Sequence, residues 1–374
     1  SNGSDSPLLK AQRERARGVL EWVLLACAAL AVCNLLLVRA LFSSKDDELF
    51  FLLCFGVLAQ LIAGVIAMVY SAKARSSGLA AFSAAFVMAA PFTAMVGLAA
   101  VMGGSWGRPL RVRGRQLHPE LRRGSDWTQG EHPDPRGLDE PTRAALEALW
   151  LHDAQKEHAS VPAFSRLSWL LAAVGAPAEL LEGAHRAAME EIAHTRLCFA
   201  LAAGYAGRSY TVEPMPELLL GGLELQGRAL EVLASESVTD GCQLEDFNAD
   251  VAAACAAVCE EPVTRRVLEQ IAREERSHAE FSWAMLEWLL EREPTGVRAA
   301  IEAALLKLDR YPRPTAVSSD KRALVSRADP AALRRHGRLP DAQWAAAWEA
   351  RLGHTRARVA KMLGAEGSRH RLAG

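Results

Sequence analysis

The stretch Glu190-Glu191-Ile192-Ala193-His194 (EEIAH) returns 84 positions later as Glu274-Glu275-Arg276-Ser277-His278 (EERSH). Residues three apart on a helix project from one face, so Glu191 with His194, and Glu275 with His278, each present an oxygen and a nitrogen together. The apolar residues around them decide where those faces look. Leu181, Ala184, Ala188, Thr195, Cys198 and Ala202 recur at threes and fours around the first pair, and Val267, Ile271, Ser282 and Met285 around the second. Each glutamate stands where the pattern demands an apolar side chain. An ionised carboxylate withdrawn from water costs several kcal/mol unless a cation compensates it. One such pair is ordinary on a solvated helix face, but two on inward faces call for a bound metal.

A dinuclear site built this way also needs one carboxylate from each of two further helices. From Asp139 onward the pattern is helical, with Asp139 and Pro141 as start signals. Four long segments are expected, over residues 140–174, 178–203, 224–260 and 263–291. Short breaks at Val174–Pro177 and Glu260–Pro262 make two hairpins, and the longer stretch around Gly207, Pro214 and Gly221 joins them. The fold class expected is all-α, a four-helix bundle with one long connection.

In the first helix the inward stripe runs through Trp150, Ala154, Glu157, Val161, Phe164, Ser168 and Leu171, and Glu157 is its ionisable member. Glu157 and Glu191 are nearly equidistant from the turn, so a rise of about 1.5 Å per residue brings them to one height. The third helix offers Glu236, Asp240 and Glu245. Height relative to Glu275, and a shared stripe with Val238, Cys242, Ala249, Ala252 and Cys259, favour Glu245. The other two stay open as alternatives. Glu190 and Glu274 project about 100° from the ligand faces and are expected to support the site or face solvent. His158, beside Glu157, is expected as a core or surface histidine, and Pro162 as a kink one turn beyond.

Residues 18–104 are of another character. Val19–Leu41, Leu49–Tyr70 and Gly78–Gly104 are apolar runs with few or no charges. Each is long enough to cross a hydrocarbon layer of about 30 Å, which takes roughly 20 helical residues. About three transmembrane helices are therefore expected within residues 1–104. The basic residues flanking them (Lys10, Arg13, Arg15 and Arg17 on one side, Arg108, Arg111, Arg113 and Arg115 on the other) pull orientation both ways. Residues 105–138, rich in Gly, Pro and Arg, are expected as a linker, 139–291 as the bundle, and 292–374 as a small helical extension packed on it. Within that extension Trp344, Trp348 and Leu352 fall at successive turns and mark a packing face.

Lys and Arg total 43 against 44 Asp and Glu, which gives no footprint for nucleic acid. The seven Cys show no Cys-x-x-Cys spacing, so neither a zinc ribbon nor a redox pair is indicated.

Through Glu157, EEIAH, Glu245 and EERSH, residues 145–290 resemble the ferritin-like di-iron superfamily, which includes bacterioferritins, rubrerythrins and carboxylate-bridged hydroxylases. The stretches EHASVPAFSRLSWLLAAVGAP, HTRLCFALAAGYAG and RRHGRLPDAQW look like bacterial ferritin-like domain proteins. The resemblance implies that Glu157, Glu191, His194, Glu245, Glu275 and His278 hold two iron ions, Glu191 and either Glu245 or Glu275 bridging them. The membrane part precedes the bundle here, whereas well-known membrane-attached relatives carry a transport domain after it, which argues against iron transport.

The expected function is a membrane-tethered di-iron oxidoreductase that reacts Fe(II) with O2 or H2O2, as a ferroxidase, peroxidase or oxygenase. Manganese and zinc are chemically compatible with the ligand set. The alternative is a metal-binding structural or sensory module without turnover. Expected partners are the lipid bilayer, O2 or H2O2, and a small-molecule or lipid substrate. The expected location is a bacterial inner membrane, with the bundle's cytoplasmic placement favoured.

Overall fold

The computed structural model describes residues 108–112, 115–220, 228–311 and 313–372. The chain divides into two units, Ser1–Gly103 and Gly104–Gly374, and all described residues belong to the second. The three apolar runs expected to span a membrane lie outside the described residues. Among the described residues, no helix is long and apolar enough to cross a membrane.

The second unit is mostly helical. Helix α1 (Glu140–Ala173) and helix α2 (Ala178–Ala206) pack along their lengths as a hairpin. Asp139 starts α1 by accepting from the Thr142 backbone N–H at 2.9 Å, which satisfies a donor that has no partner within the helix. Gly207 ends α2 with a left-handed backbone (φ 67°, ψ 21°), a conformation a side chain resists. Pro162 is accommodated inside α1, which continues through it.

The third helix, α3, comprises Ala229–Glu236, a π-helical stretch Ser237–Glu245, and Asp246–Val258. It packs on helix α4 (Pro262–Arg292), which Glu261 caps through the Thr264 N–H at 2.6 Å. The sequence pattern gives an ordinary helix here, and the π stretch is a departure from it. Its cause lies in local chemistry. The Ser237 and Thr239 hydroxyls donate back to the carbonyls of Leu233 and Ser235, which loosens the normal ladder. Gly241 then lets the backbone press on α4, since a Cβ there would lie 2.3 Å from that of Ser282.

Residues 105–138 were expected as a linker, yet from Arg108 onward the described part lies against the helices. Strand β1 (Arg111–Val112) pairs with β2 (Arg115–Gln116), and β3 (Leu121–Arg123) pairs antiparallel with β4 (Tyr210–Val212) in the connection after α2. Ser160 donates to the Arg108 carbonyl at 3.1 Å and Gln155 to that of Pro119 at 2.7 Å, tying the segment to α1.

After α4 come α5 (Pro294–Asp309), the short helices α6 (Arg322–Val325) and α7 (Pro330–Arg335), and α8 (Asp341–Leu372). Trp344, Trp348 and Leu352 of α8 are buried, with Phe247 of α3 set edge-on against both indoles. Asp246 and Asp250 of α3 clamp Arg276 of α4 and Arg351 of α8, fixing the extension by charge as well as by packing. Trp348→Ala is expected to cost about 3–5 kcal/mol, the range for emptying a buried aromatic site. The midpoint of denaturant unfolding measures it, and a cost under about 1 kcal/mol would mean that α8 is not part of this core.

Candidate metal centre

Four helices each bring one glutamate to a common point inside the unit, and two of them add a histidine. Glu157 comes from α1, Glu191 and His194 from α2, Glu245 from the end of the π stretch in α3, and Glu275 and His278 from α4. All six side chains are between 0% and 1% exposed, which removes solvent as a source of hydrogen bonds.

Their ligand atoms fall into two overlapping groups, each within 4.8 Å. Glu157, Glu191, His194 and Glu275 form one, and Glu191, Glu245, Glu275 and His278 the other. Glu191 and Glu275 therefore belong to both, while Glu157 with His194 and Glu245 with His278 each belong to one. The Nδ1 of His194 lies 3.5 Å from Glu191, 3.7 Å from Glu157 and 3.8 Å from Glu275. The Nδ1 of His278 lies 3.5 Å from Glu191. Such separations are long for hydrogen bonds, and indeed all eight carboxylate oxygens and both Nδ1 atoms are buried without a hydrogen-bond partner.

The electrostatics carry the same imprint. Burial pushes the Glu191 carboxyl well above its ordinary value, and the neighbouring charge of Glu157 adds to it. Burial and then Glu245 do the same to Glu275. Glu245 is raised by burial. Glu157 runs the other way, because the close approach of His194 and Glu191 outweighs its burial. Burial opposes a charge on His194 as well, but the surrounding carboxylates raise it well above the usual imidazole range. Without a cation, protons must stand in for one.

The outer nitrogens of the two histidines account for the first glutamate of each EExxH turn. His194 Nε2 lies 2.7 Å from Glu274, and His278 Nε2 lies 2.8 Å from Glu190. The leading glutamate of each EExxH turn thus holds the histidine of the other turn. That contact leaves Nδ1 free to face the cluster, and a carboxylate on the far nitrogen is the usual support of a metal-bound imidazole. Only the spacing of the second glutamate was interpretable in the sequence, since this crossing needs α2 and α4 to be neighbours. Glu190→Gln and Glu274→Gln are each expected to weaken metal affinity roughly 10–100-fold without changing the number of sites. Competition with a chromogenic chelator reads this, and unchanged affinity in both would remove the role assigned to the crossing.

The remaining candidates are accounted for elsewhere. Asp240 is engaged by Arg111 at 2.5 and 3.1 Å, and Glu236 by Arg166 at 2.8 and 3.0 Å, so neither joins the cluster. His158 packs edge-on against Trp127, where burial pushes its pKa down to about 4. A further histidine of α2, His185, pairs with Ser168 of α1 at 2.9 Å.

Fold and site together define a helical protein with a buried carboxylate and imidazole cluster that could hold metal. Comparison with protein-family models, curated proteins and solved structures finds no match.

Proposed function

We propose that this chain is a membrane-tethered, ferritin-like di-iron protein, and that it acts as an oxidoreductase toward O2 or H2O2. The observation that carries this reading is the set of eight buried carboxylate oxygens and two buried Nδ1 atoms that converge without partners. Four carboxylates and two imidazoles, with two carboxylates common to both groups, fit a pair of divalent cations. Glu157 and His194 would hold one, Glu245 and His278 the other, and Glu191 and Glu275 both.

A bound pair of irons would supply two electrons to an oxidant in one event. The protein's own contributions are positional. Glu190 and Glu274 fix the two imidazoles, while the buried walls exclude bulk water. Glu191 and Glu275, reaching both groups, can shift their oxygens between them without leaving the site. Full burial of the ligands suits small oxidants rather than bulky substrates. The membrane tether rests on the apolar runs within residues 18–104.

Burial of all six residues also favours a second reading, a structural or sensory module that holds metal without turnover. Anaerobic Fe(II) loading followed by O2 or H2O2 separates the two. Rapid growth of near-ultraviolet ferric absorbance supports the oxidoreductase, and iron inert to both oxidants leaves the module.

A further inference from the structure

Beside the cluster lies a charge that the six ligands do not explain. Arg108 is 2% exposed, and both of its terminal nitrogens, Nη1 and Nη2, are buried without a hydrogen-bond partner. Arg338, whose Nε and Nη2 are likewise buried without a hydrogen bond, has Asp153 at 2.7 Å. Arg111, three residues on, has Asp240. Among the described residues, Arg108 has no such carboxylate.

Its position is fixed on several sides. The backbone carbonyl accepts from Ser160 of α1, and the guanidinium carbon sits 5.4 Å from the centre of the Phe164 ring. The same ring lies 5.2 Å from His278, so it touches both the arginine and a residue of the cluster. Nη1 comes within 3.6 Å of the Cβ position at Gly241, in the π stretch that ends at Glu245.

A guanidinium carries a planar fork of N–H donors whose natural complement is a carboxylate. Leaving two of its nitrogens unbonded in a dry place is costly. Two divalent cations would occupy the four glutamates, and none of those carboxylates hydrogen-bonds the Arg108 guanidinium. We propose that Arg108 is the anchor of a small-carboxylate subsite beside the dinuclear centre, the carboxylate receiving the Nη1 and Nη2 hydrogens next to Phe164 and Gly241. The proposal rests on the metal reading, because four unneutralised glutamates would repel an anion. Ser160 and Ser282 already donate to backbone carbonyls, so the two free donors suit a planar monoanion better than a phosphate.

The test is calorimetric titration of the zinc-loaded full chain with acetate at constant ionic strength, with zinc counted on the same samples. One acetate per chain is expected, weakened about tenfold or more in Arg108→Gln and less in Arg108→Lys, which keeps charge but loses the fork. Two zinc ions with no saturable acetate binding would overturn the subsite while sparing the metal reading. Equal affinity in Arg108→Gln would overturn it too, since acetate would then be held by metal alone. Should Arg108→Gln fail to fold, Arg108→Lys decides, and affinity equal to wild type contradicts recognition by the fork. A chain that binds no zinc sinks both the subsite and the metal reading, and the zinc count shows which failed first.

Discussion

Glu191→Ala and Glu275→Ala are each expected to abolish the paired site, taking the chain from two tightly held metals to one weakly held metal or none. Glu157→Ala and Glu245→Ala are expected to spare one metal, and Glu236→Ala both. The difference follows from membership of the two ligand groups: Glu191 and Glu275 lie in both, whereas Glu157 and Glu245 lie in one each. Removing a shared carboxylate takes a ligand from each metal and also removes negative charge that keeps two cations close together. Glu236 is held by Arg166 and belongs to neither group. Equilibrium dialysis followed by elemental analysis gives the counts. A loss in Glu236→Ala equal to that in Glu191→Ala would place the third-helix ligand elsewhere than Glu245.

Stripping the metals is expected to lower the thermal unfolding midpoint of the full chain by about 10 °C at neutral pH. Ligand at a thousandfold over its Kd contributes roughly 4 kcal/mol, and for a domain of this size each kcal/mol moves the midpoint by about 2–4 °C. The pH dependence of the stripped protein should run opposite to acid denaturation. Glu191, Glu245 and Glu275 have folded-state values raised above the unfolded ones, by burial first, and His194 is raised by its carboxylate neighbours. The folded chain therefore binds more protons than the unfolded chain, so stability falls as pH rises above about 4.5, the range in which an unfolded glutamate ionises. His158 and His336, both lowered by burial, oppose this trend below about 6.5, and Glu157, also lowered, acts only below about 4.5. Metal loading should flatten or reverse the slope, because cations take the place of the protons. Thermal scans at pH 5 and pH 8, with and without chelator, check it. A stripped protein more stable at pH 8 would contradict the charge assignment.

The parts of this arrangement that follow from local period were legible in the sequence. Threes and fours in the apolar residues placed Glu157, Glu191 and Glu275 on inward faces. Near-equal distances from the first short turn put Glu157 and Glu191 at one height. Glu245 was separable from Asp240 and Glu236 by the same argument, although its helix was not the regular one assumed. The π stretch is written in SVTDGCQLE, where Ser237, Thr239 and Gly241 weaken one helical turn, but propensity alone does not say whether a helix breaks, bends or widens there. The back-bonds of Ser237 and Thr239, and the close approach to Ser282 that Gly241 permits, accompany the widened turns.

What depends on which helices touch was not legible. The crossing of Glu190 to His278 and Glu274 to His194 requires α2 and α4 side by side. The anchoring of Arg108 requires a Gly- and Pro-rich segment, without period of its own, to lie on α1. Such a segment reads as a linker because its partners are hydrogen bonds to distant residues, as with Ser160 and the Arg108 carbonyl. Arg111 likewise takes up Asp240, a carboxylate that spacing alone kept as a candidate ligand.

The central claim is that six side chains hold two metals as one coupled unit. Anaerobic loading of the full chain with iron-57, oxidation, and Mössbauer spectroscopy at low temperature test it most directly. Two irons per chain in a spin-coupled diferric pair is the predicted result. Iron that stays below one per chain, or that gives only the spectrum of isolated ferric ions, would contradict it.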